Sequence, residues 1–397
     1  MTFSAGVVHS ARLVSGGTIT QNAWVAFEGG VVSATGVGDG WASRPSAGSA
    51  TDARPGQSDD GLVIDAAGRW LTPGFIDIHC HGAGGAAFDE GGDAIATALA
   101  VHRRHGATRT VLSLVTAGQS DLEERLAAAA AAATADPLIL GAHLEGPFLD
   151  HAFRGAHDPT LLRAPDAASI DRLLSAGGGH LRQVTLAPEL PGAGQAIDTL
   201  VEAGVAVAVG HSAADYATAL AAFDRGASIL THAFNGMRGI HHRAPGPVAA
   251  AMHASHVTLE VINDGVHVHP DVVRLAFAGA PGRVALVTDA MAATGAADGP
   301  YTLGSLSLTV ADGVARLTGG DTIAGSTLTL DAALRRAVTE AGVSIENAVT
   351  ALTETPARAV GRAGDLGRLD PGFAADLVLL GPALTVEAVI TAGRRLR

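Results

Sequence analysis

Lysine is missing altogether from this chain, so all 26 of its basic residues are arginines. Without lysine there is no Schiff-base chemistry, no lysine-held pyridoxal cofactor and no Walker-type phosphate loop. A carbamylated lysine between two metal ions is excluded as well, so a dinuclear site would need a carboxylate bridge. Cysteine is almost as scarce. Cys80 stands alone, which rules out an intramolecular disulfide and suits a reducing cytoplasm. No apolar run approaches the ~20 residues that span a bilayer. The opening Met1-Thr-Phe-Ser-Ala-Gly6 lacks the basic start of a signal peptide, so a soluble protein is expected. There is no basic block, and the net charge is −13. That argues against nucleic acid or an anionic membrane as partner. What is present is 47% hydrophobic with 51 glycines but only 4% aromatic. This composition fits an α/β enzyme built of Ala, Val and Leu, and 397 residues suffice for more than one domain.

The two chain ends resemble each other. Gly6-Val-Val8, Ala23–Phe27, Val31-Val32 and Leu62–Ile64 are β-rich and separated by Gly, Asn and Asp. Residues 36–61, rich in Gly, Ser, Asp and Pro, read as a mobile surface loop. Near the C-terminus, Ala374–Leu380 and Ala388–Ile390 are again strand-like. Residues 1–72 and 357–397 are therefore expected to pair as one small β-sandwich domain flanking a central domain of residues 73–356.

From Pro73 the pattern becomes strand, loop, helix, repeated. The strand candidates are Phe75–His81, Thr108–Val115, Leu138–Glu145, Gln183–Ala187, Val205–His211, Ile229–His232, Thr258–Ile262 and Val284–Asp289. The helical candidates are Asp93–His105, Asp121–Thr134, Ala167–Ser175, Gln195–Ala203, Ala213–Asp224, Asp271–Phe277 and Leu328–Ala341. Eight apolar strands alternating with helices predict a closed, TIM-like (β/α)8 barrel. The polar residues reinforce this. His79, His81, Glu145, His211, His232 and Asp289 fall at strand ends, where barrel enzymes keep their chemistry.

Five stretches carry that chemistry. In Gly141-Ala-His143-Leu-Glu145-Gly-Pro-Phe148 the pleat puts His143 and Glu145 on one face, suited to a divalent metal or to a simple hydrogen-bonded pair. In Asp77-Ile-His79-Cys-His81 both imidazoles share a face with Asp77, a candidate partner behind the ligands, while Cys80 points away as a small buried filler. His211 and His232 end consecutive strands; with Glu145 they make a three-ligand site with an open position, as hydrolytic zinc requires. Bound zinc lowers the pKa of water to roughly 7. Asp289 could take a proton from that water and deliver it to a leaving amine, or could simply cap the next segment.

Further motifs make a resemblance explicit. Besides those above they are Arg154-Gly-Ala-His157, Thr185-Leu-Ala-Pro-Glu189, Thr231-His-Ala-Phe-Asn-Gly-Met237, Arg243-Ala-Pro-Gly246, Asp264-Gly-Val-His267, Ala324-Gly-Ser326 and Pro371-Gly-Phe-Ala-Ala-Asp376. Taken in order, they cover nearly the whole chain and resemble the amidohydrolase superfamily, within it the N-acetylglucosamine-6-phosphate deacetylase family. The resemblance implies a cytoplasmic homodimer or higher homo-oligomer that hydrolyses the acetamide of a phosphorylated amino sugar. It assigns Glu145, His211 and His232 to the main metal, Asp289 to acid/base work and His157 to the acetyl carbonyl. Ala156, Asn235, Gly236, Arg243, His267, Ile323, Ala324 and Gly325 would line the sugar phosphate, with Arg243 reaching across a subunit interface. Gly236 stands where alanine is commoner in the family. Some members lack the first-strand histidines and use one metal; His79 and His81 here imply a second ion, with Glu145 bridging. The competing readings are a deacetylase of the galactosamine epimer, another amide hydrolase of the superfamily, or a silent sugar-phosphate-binding protein.

Overall fold

In the computed structural model the described residues are 5–43 and 61–397. Eight strands form one parallel sheet in sequential order. They are β1 (Phe75–Asp77), β2 (Ala107–Val115), β3 (Ile139–Glu145), β4 (Leu181–Leu186), β5 (Ala206–Val209), β6 (Ile229–Leu230), β7 (Thr258–Ile262) and β8 (Val284–Val287). A helix follows each: α1 (Gly92–Arg104), α2 (Gln119–Ala135), α3 (Ala167–Gly177), α4 (Ala193–Glu202), α5 (Tyr216–Asp224), α6 (Gly246–His253), α7 (Pro270–Gly279) and α8 (Leu330–Thr339). Every residue of β2, β3, β7 and β8 is buried, which is why these strands read as continuous rather than alternating apolar runs. The alanine-rich α2 buries only Leu122, Leu126, Ala129 and Ala133, one stripe at helical spacing.

A backbone seam closes the barrel between β1 and β8. The amide of Asp289 donates to the His79 carbonyl at 2.8 Å, and the amides of His81 and Gly82 donate to the Ala290 carbonyl. At the other end Ala351 and Leu352 wedge between the strands, accepting from the amides of Leu286 and Ile76 at 2.9 and 2.8 Å. The expected (β/α)8 barrel is therefore present.

Several strands stop short of the expected ends. β5, β6 and β8 finish at Val209, Leu230 and Val287, leaving His211, His232 and Asp289 just beyond. The reason is local. These three residues have φ of 47°, 26° and 48°, a left-handed backbone that a strand cannot contain. Helix α5 starts at Tyr216 rather than Ala213 because the Asp215 carboxylate caps it, accepting from the Thr218 amide at 2.8 Å. Helix α6 was not among the expected segments. Its Pro245-Gly-Pro247 start reads as a turn, yet proline is equally at home in a first helical turn.

The chain ends do pair. Ala5–Ser15 joins Leu62–Asp65 along its first half and Trp70–Pro73 along its second, and Leu377–Leu380 extends that edge. Val8, Leu13, Val25, Phe27, Leu71, Leu377 and Ile390 form the core of this β-sandwich. Residues 36–37, expected in the loop, complete the strand Val31–Val37, and Gly40–Ser43 is a short 3-10 turn. The rest of the expected loop, 44–60, lies outside the described residues. A three-stranded antiparallel insert, Gly299–Leu303, Leu306–Ala311 and Val314–Leu317, sits between β8 and α8. Among the described residues no helix is long and apolar enough to cross a membrane.

Candidate active site

The C-terminal rim of the barrel gathers six side chains, Glu145 at the end of β3 and the others just beyond the ends of β1, β5, β6 and β8. Glu145, the last residue of β3, is the hub. Its Oε1 lies 3.1 Å from His211 Nε2 and 3.1 Å from His232 Nε2. Its Oε2 lies 3.0 Å from His81 Nε2, while His79 Nε2 approaches Oε1 at 3.4 Å. Asp289 Oδ1 closes the second half of the cluster, 3.5 Å from His79 Nε2 and 3.3 Å from His81 Nε2. Two ligand groups result, Glu145/His211/His232 and His79/His81/Glu145/Asp289, which share Glu145. All six residues are buried.

The electrostatics follow from crowding. Burial alone would raise the Glu145 carboxyl, but His79, His157, His211 and His232 hold it well below the usual range. Burial would also raise Asp289, and His79 and His81 outweigh it downward. Desolvation works against charge on His81, yet Asp289 and Glu145 push it up to about 9.

The donor set fits a divalent cation. His211 Nδ1 donates to the Phe153 carbonyl at 2.9 Å, so its Nε2 carries the lone pair. That lone pair faces His232 Nε2 at 3.0 Å and a carboxylate oxygen at 3.1 Å. The His211 lone pair and the Glu145 oxygen are both acceptors, and acceptors opposed this closely favour a positive charge between them. Imidazole and carboxylate donors, with outer hydrogen bonds fixing His79 and His211, are the set that zinc-like ions take.

Comparison with known proteins agrees with this geometry. The amidohydrolase family model matches residues 70–396. The chain belongs to the amidohydrolase family. It is 40% identical over 336 residues to the N-acetylgalactosamine-6-phosphate deacetylase of Escherichia coli O157:H7, covering 84% of this chain and 89% of that protein. It is 37% identical over 328 residues to the N-acetylglucosamine-6-phosphate deacetylase of Vibrio furnissii, covering 82% of each. Among solved structures it resembles a mutant N-acetyl-D-glucosamine-6-phosphate deacetylase of Mycobacterium smegmatis in complex with N-acetyl-D-glucosamine-6-phosphate. That likeness has a TM-score of 0.90 at 42% identity and covers 99% of both chains.

Beside the ligands, this amidohydrolase barrel holds a cleft of about 280 Å³, the size that takes a small ligand. Ala156, His157, Asn235, Gly236, His267, Ile323 and Gly325 line it, together with Asp321 and Thr322, which the sequence did not single out. His157 Nδ1 contacts the Thr116 hydroxyl at 2.8 Å, its Nε2 points toward Glu145 Oε2 at 3.6 Å, and burial lowers its pKa to about 4. His267 is held by Asp264 at 2.7 Å. Two expected lining residues stand apart. Ala324 is buried under the three-stranded insert, and Arg243 is exposed outside the cleft of its own chain.

Other readings need correction. His143 joins no ligand group, because hydroxyls on the flanking strands occupy both ring nitrogens: Ser113 at 2.9 Å and Thr185 at 2.8 Å. Asp77 touches no ligand imidazole; it accepts from the Thr288 hydroxyl at 2.7 Å and pins the β1–β8 seam. Cys80 is buried but more than filler, with its sulfur 3.1 Å from His102 Nε2. The missed residue is Glu260. It is the single charged residue of the apolar strand Thr258–Ile262, is fully buried, and lies 2.9 Å from His79 Nδ1. A lone carboxylate inside a core strand was the signal, since such a group must be paired.

Proposed function

We propose that this amidohydrolase removes the acetyl group of N-acetyl-D-glucosamine 6-phosphate, giving D-glucosamine 6-phosphate and acetate, with zinc as the divalent ion. The observation that carries this reading is the convergence of Glu145, His211 and His232 on one point at the foot of the cleft. These three would hold the main ion; His79, His81, the shared Glu145 and Asp289 would hold a second. When bound, such an ion lowers the pKa of water and polarises a carbonyl oxygen.

The side chains supply the rest. Asp289 accepts one proton of the attacking water as the C–O bond forms. It returns that proton to the amide nitrogen as the C–N bond breaks. His157 is neutral at physiological pH because burial disfavours its charge. Carried on Nε2, its hydrogen, which points toward Glu145 Oε2 in this structure, would serve the acetyl oxygen as charge develops there. Ala156, Asn235, Gly236, His267, Ile323 and Gly325 would position the sugar phosphate, with Ala324 packed behind them. Arg243 suits a phosphate as a planar fork, and its exposure outside its own cleft favours service in a neighbouring subunit of a homodimer or larger homo-oligomer. Residues 73–356 would act as the catalytic barrel domain and residues 1–72 with 357–397 as its sandwich partner, working in the cytoplasm.

The deciding experiment is acetate release from the two epimeric N-acetylhexosamine 6-phosphates, before and after chelation and with zinc restored. We expect zinc-dependent release with kcat/KM favouring the glucosamine epimer. A preference for the galactosamine epimer would transfer the assignment to the activity named for the Escherichia coli relative. No acetate from either would leave a sugar-phosphate-binding protein.

A further inference from the structure

Glu260 is absent from every role assigned above. It lies on β7, a strand that contributes no ligand, and is fully buried directly behind the cluster. Three donors converge on its two oxygens. His79 Nδ1 reaches Oε2 at 2.9 Å, the His232 amide reaches the same oxygen at 3.3 Å, and Gln183 Nε2 reaches Oε1 at 2.8 Å. One carboxylate therefore touches a ligand ring of one metal group and the backbone of a ligand in the other.

The two contacts differ in kind. The hydrogen on His79 Nδ1 leaves Nε2 with its lone pair directed at Glu145, Asp289 and His81. The remaining ring of that group has no such support, because His81 Nδ1 has no partner. In the other group His211 is oriented by a neutral carbonyl, that of Phe153, and His232 Nδ1, like His81 Nδ1, has no partner among the described residues. So the His79/His81 group is the one in which a ligand ring itself donates to a buried anion. A carboxylate behind a ligating imidazole raises its basicity and fixes its tautomer.

We propose that Glu260 is a positioning residue that sets the affinity of the second, His79/His81 ion and thereby whether the enzyme works with one ion or two. The inference rests on the two-ion reading of the site given above. It predicts that the two groups can be uncoupled by a change outside both. Glu260→Gln is the suitable variant. It keeps size and an acceptor oxygen for His79, and Gln183 can turn its amide to match, since Gln183 Oε1 has no partner among the described residues. The substitution therefore removes charge with little change of shape.

The experiment titrates metal-free wild type and Glu260→Gln with Zn²⁺ against a chromophoric chelator, and counts bound zinc after desalting. Wild type should bind two ions of different affinity. The variant should bind the tighter ion with unchanged affinity and the weaker one about 10- to 100-fold less well. Thermal unfolding of the two metal-free proteins controls for folding, and equal midpoints are expected. A general structural role for Glu260 would weaken both ions together and lower the midpoint, which overturns the proposal. Unchanged affinity for both ions overturns it as well. Wild type that binds no zinc would defeat the metal-dependent reading itself. Wild type that binds a single ion would defeat only the inference about Glu260.

Discussion

At the scale of single residues, the cluster divides into groups that hold and groups that react. Asp289 stands at that division: it contacts His79 and His81 on one side and opens to the cleft on the other. Asp289→Asn should keep the fold and the Glu145/His211/His232 ion but lower kcat about 10²- to 10⁴-fold, the usual weight of a positioned acid/base. Steady-state acetate release beside a zinc assay checks both halves of that statement. His102 gives a prediction about stability. It is buried beside Cys80, and desolvation lowers its pKa from 6.5 to about 4. Between those values the unfolded chain binds the proton and the folded one does not. Stability therefore rises with pH across that window and is lost on acidification, by on the order of 3 kcal/mol for this group. Chemical denaturation from pH 7 to pH 4 should show a flatter decline in His102→Asn than in wild type.

At the scale of elements, the strand ends decide where chemistry sits. Gly210 lies between the end of β5 and His211, and a Cβ there would fall 2.6 Å from Thr231 Cβ and 2.9 Å from Thr185 Cγ2. Gly210→Ala must push β5 away from β6 and carry His211 off its partners. The expected result is loss of the main ion on zinc analysis, with the helical circular-dichroism signal retained. Element type and order, α6 excepted, were legible in the sequence because buried parallel strands read as continuous apolar runs separated by helix-length segments. The exact strand ends were not. Left-handed backbone at His211, His232 and Asp289 is imposed by the rim, and no local composition signals it. His143 misled for a related reason: the pleat correctly placed it on the face of Glu145, but only the neighbouring strands reveal that Ser113 and Thr185 occupy it. Glu260 was readable in principle, as an isolated charge inside an apolar strand, whereas its partner His79 is 181 residues away in sequence.

At the scale of the whole molecule, the sandwich and the barrel are joined by a buried ion pair. Arg109 of β2 donates through Nε to Asp376 Oδ2 at 2.6 Å and through a second nitrogen to the Pro137 carbonyl at 2.7 Å. The Thr391 hydroxyl also donates to Asp376. Asp376→Ala would strand the guanidinium in the interior, so about 3–5 kcal/mol of stability should be lost in denaturant unfolding. The pairing of the chain ends could be anticipated from their matching strand-like composition, but this tie could not, because it joins residues 267 apart in sequence. The shared-ion geometry at the rim is the claim on which the functional reading depends. Anomalous diffraction at the zinc absorption edge, from crystals of active, zinc-restored enzyme, tests it most directly. The account predicts a peak about 2.0–2.2 Å from a Glu145 oxygen and from one nitrogen each of His211 and His232. An active enzyme with its zinc bound elsewhere, or with no peak among these three side chains, would contradict it.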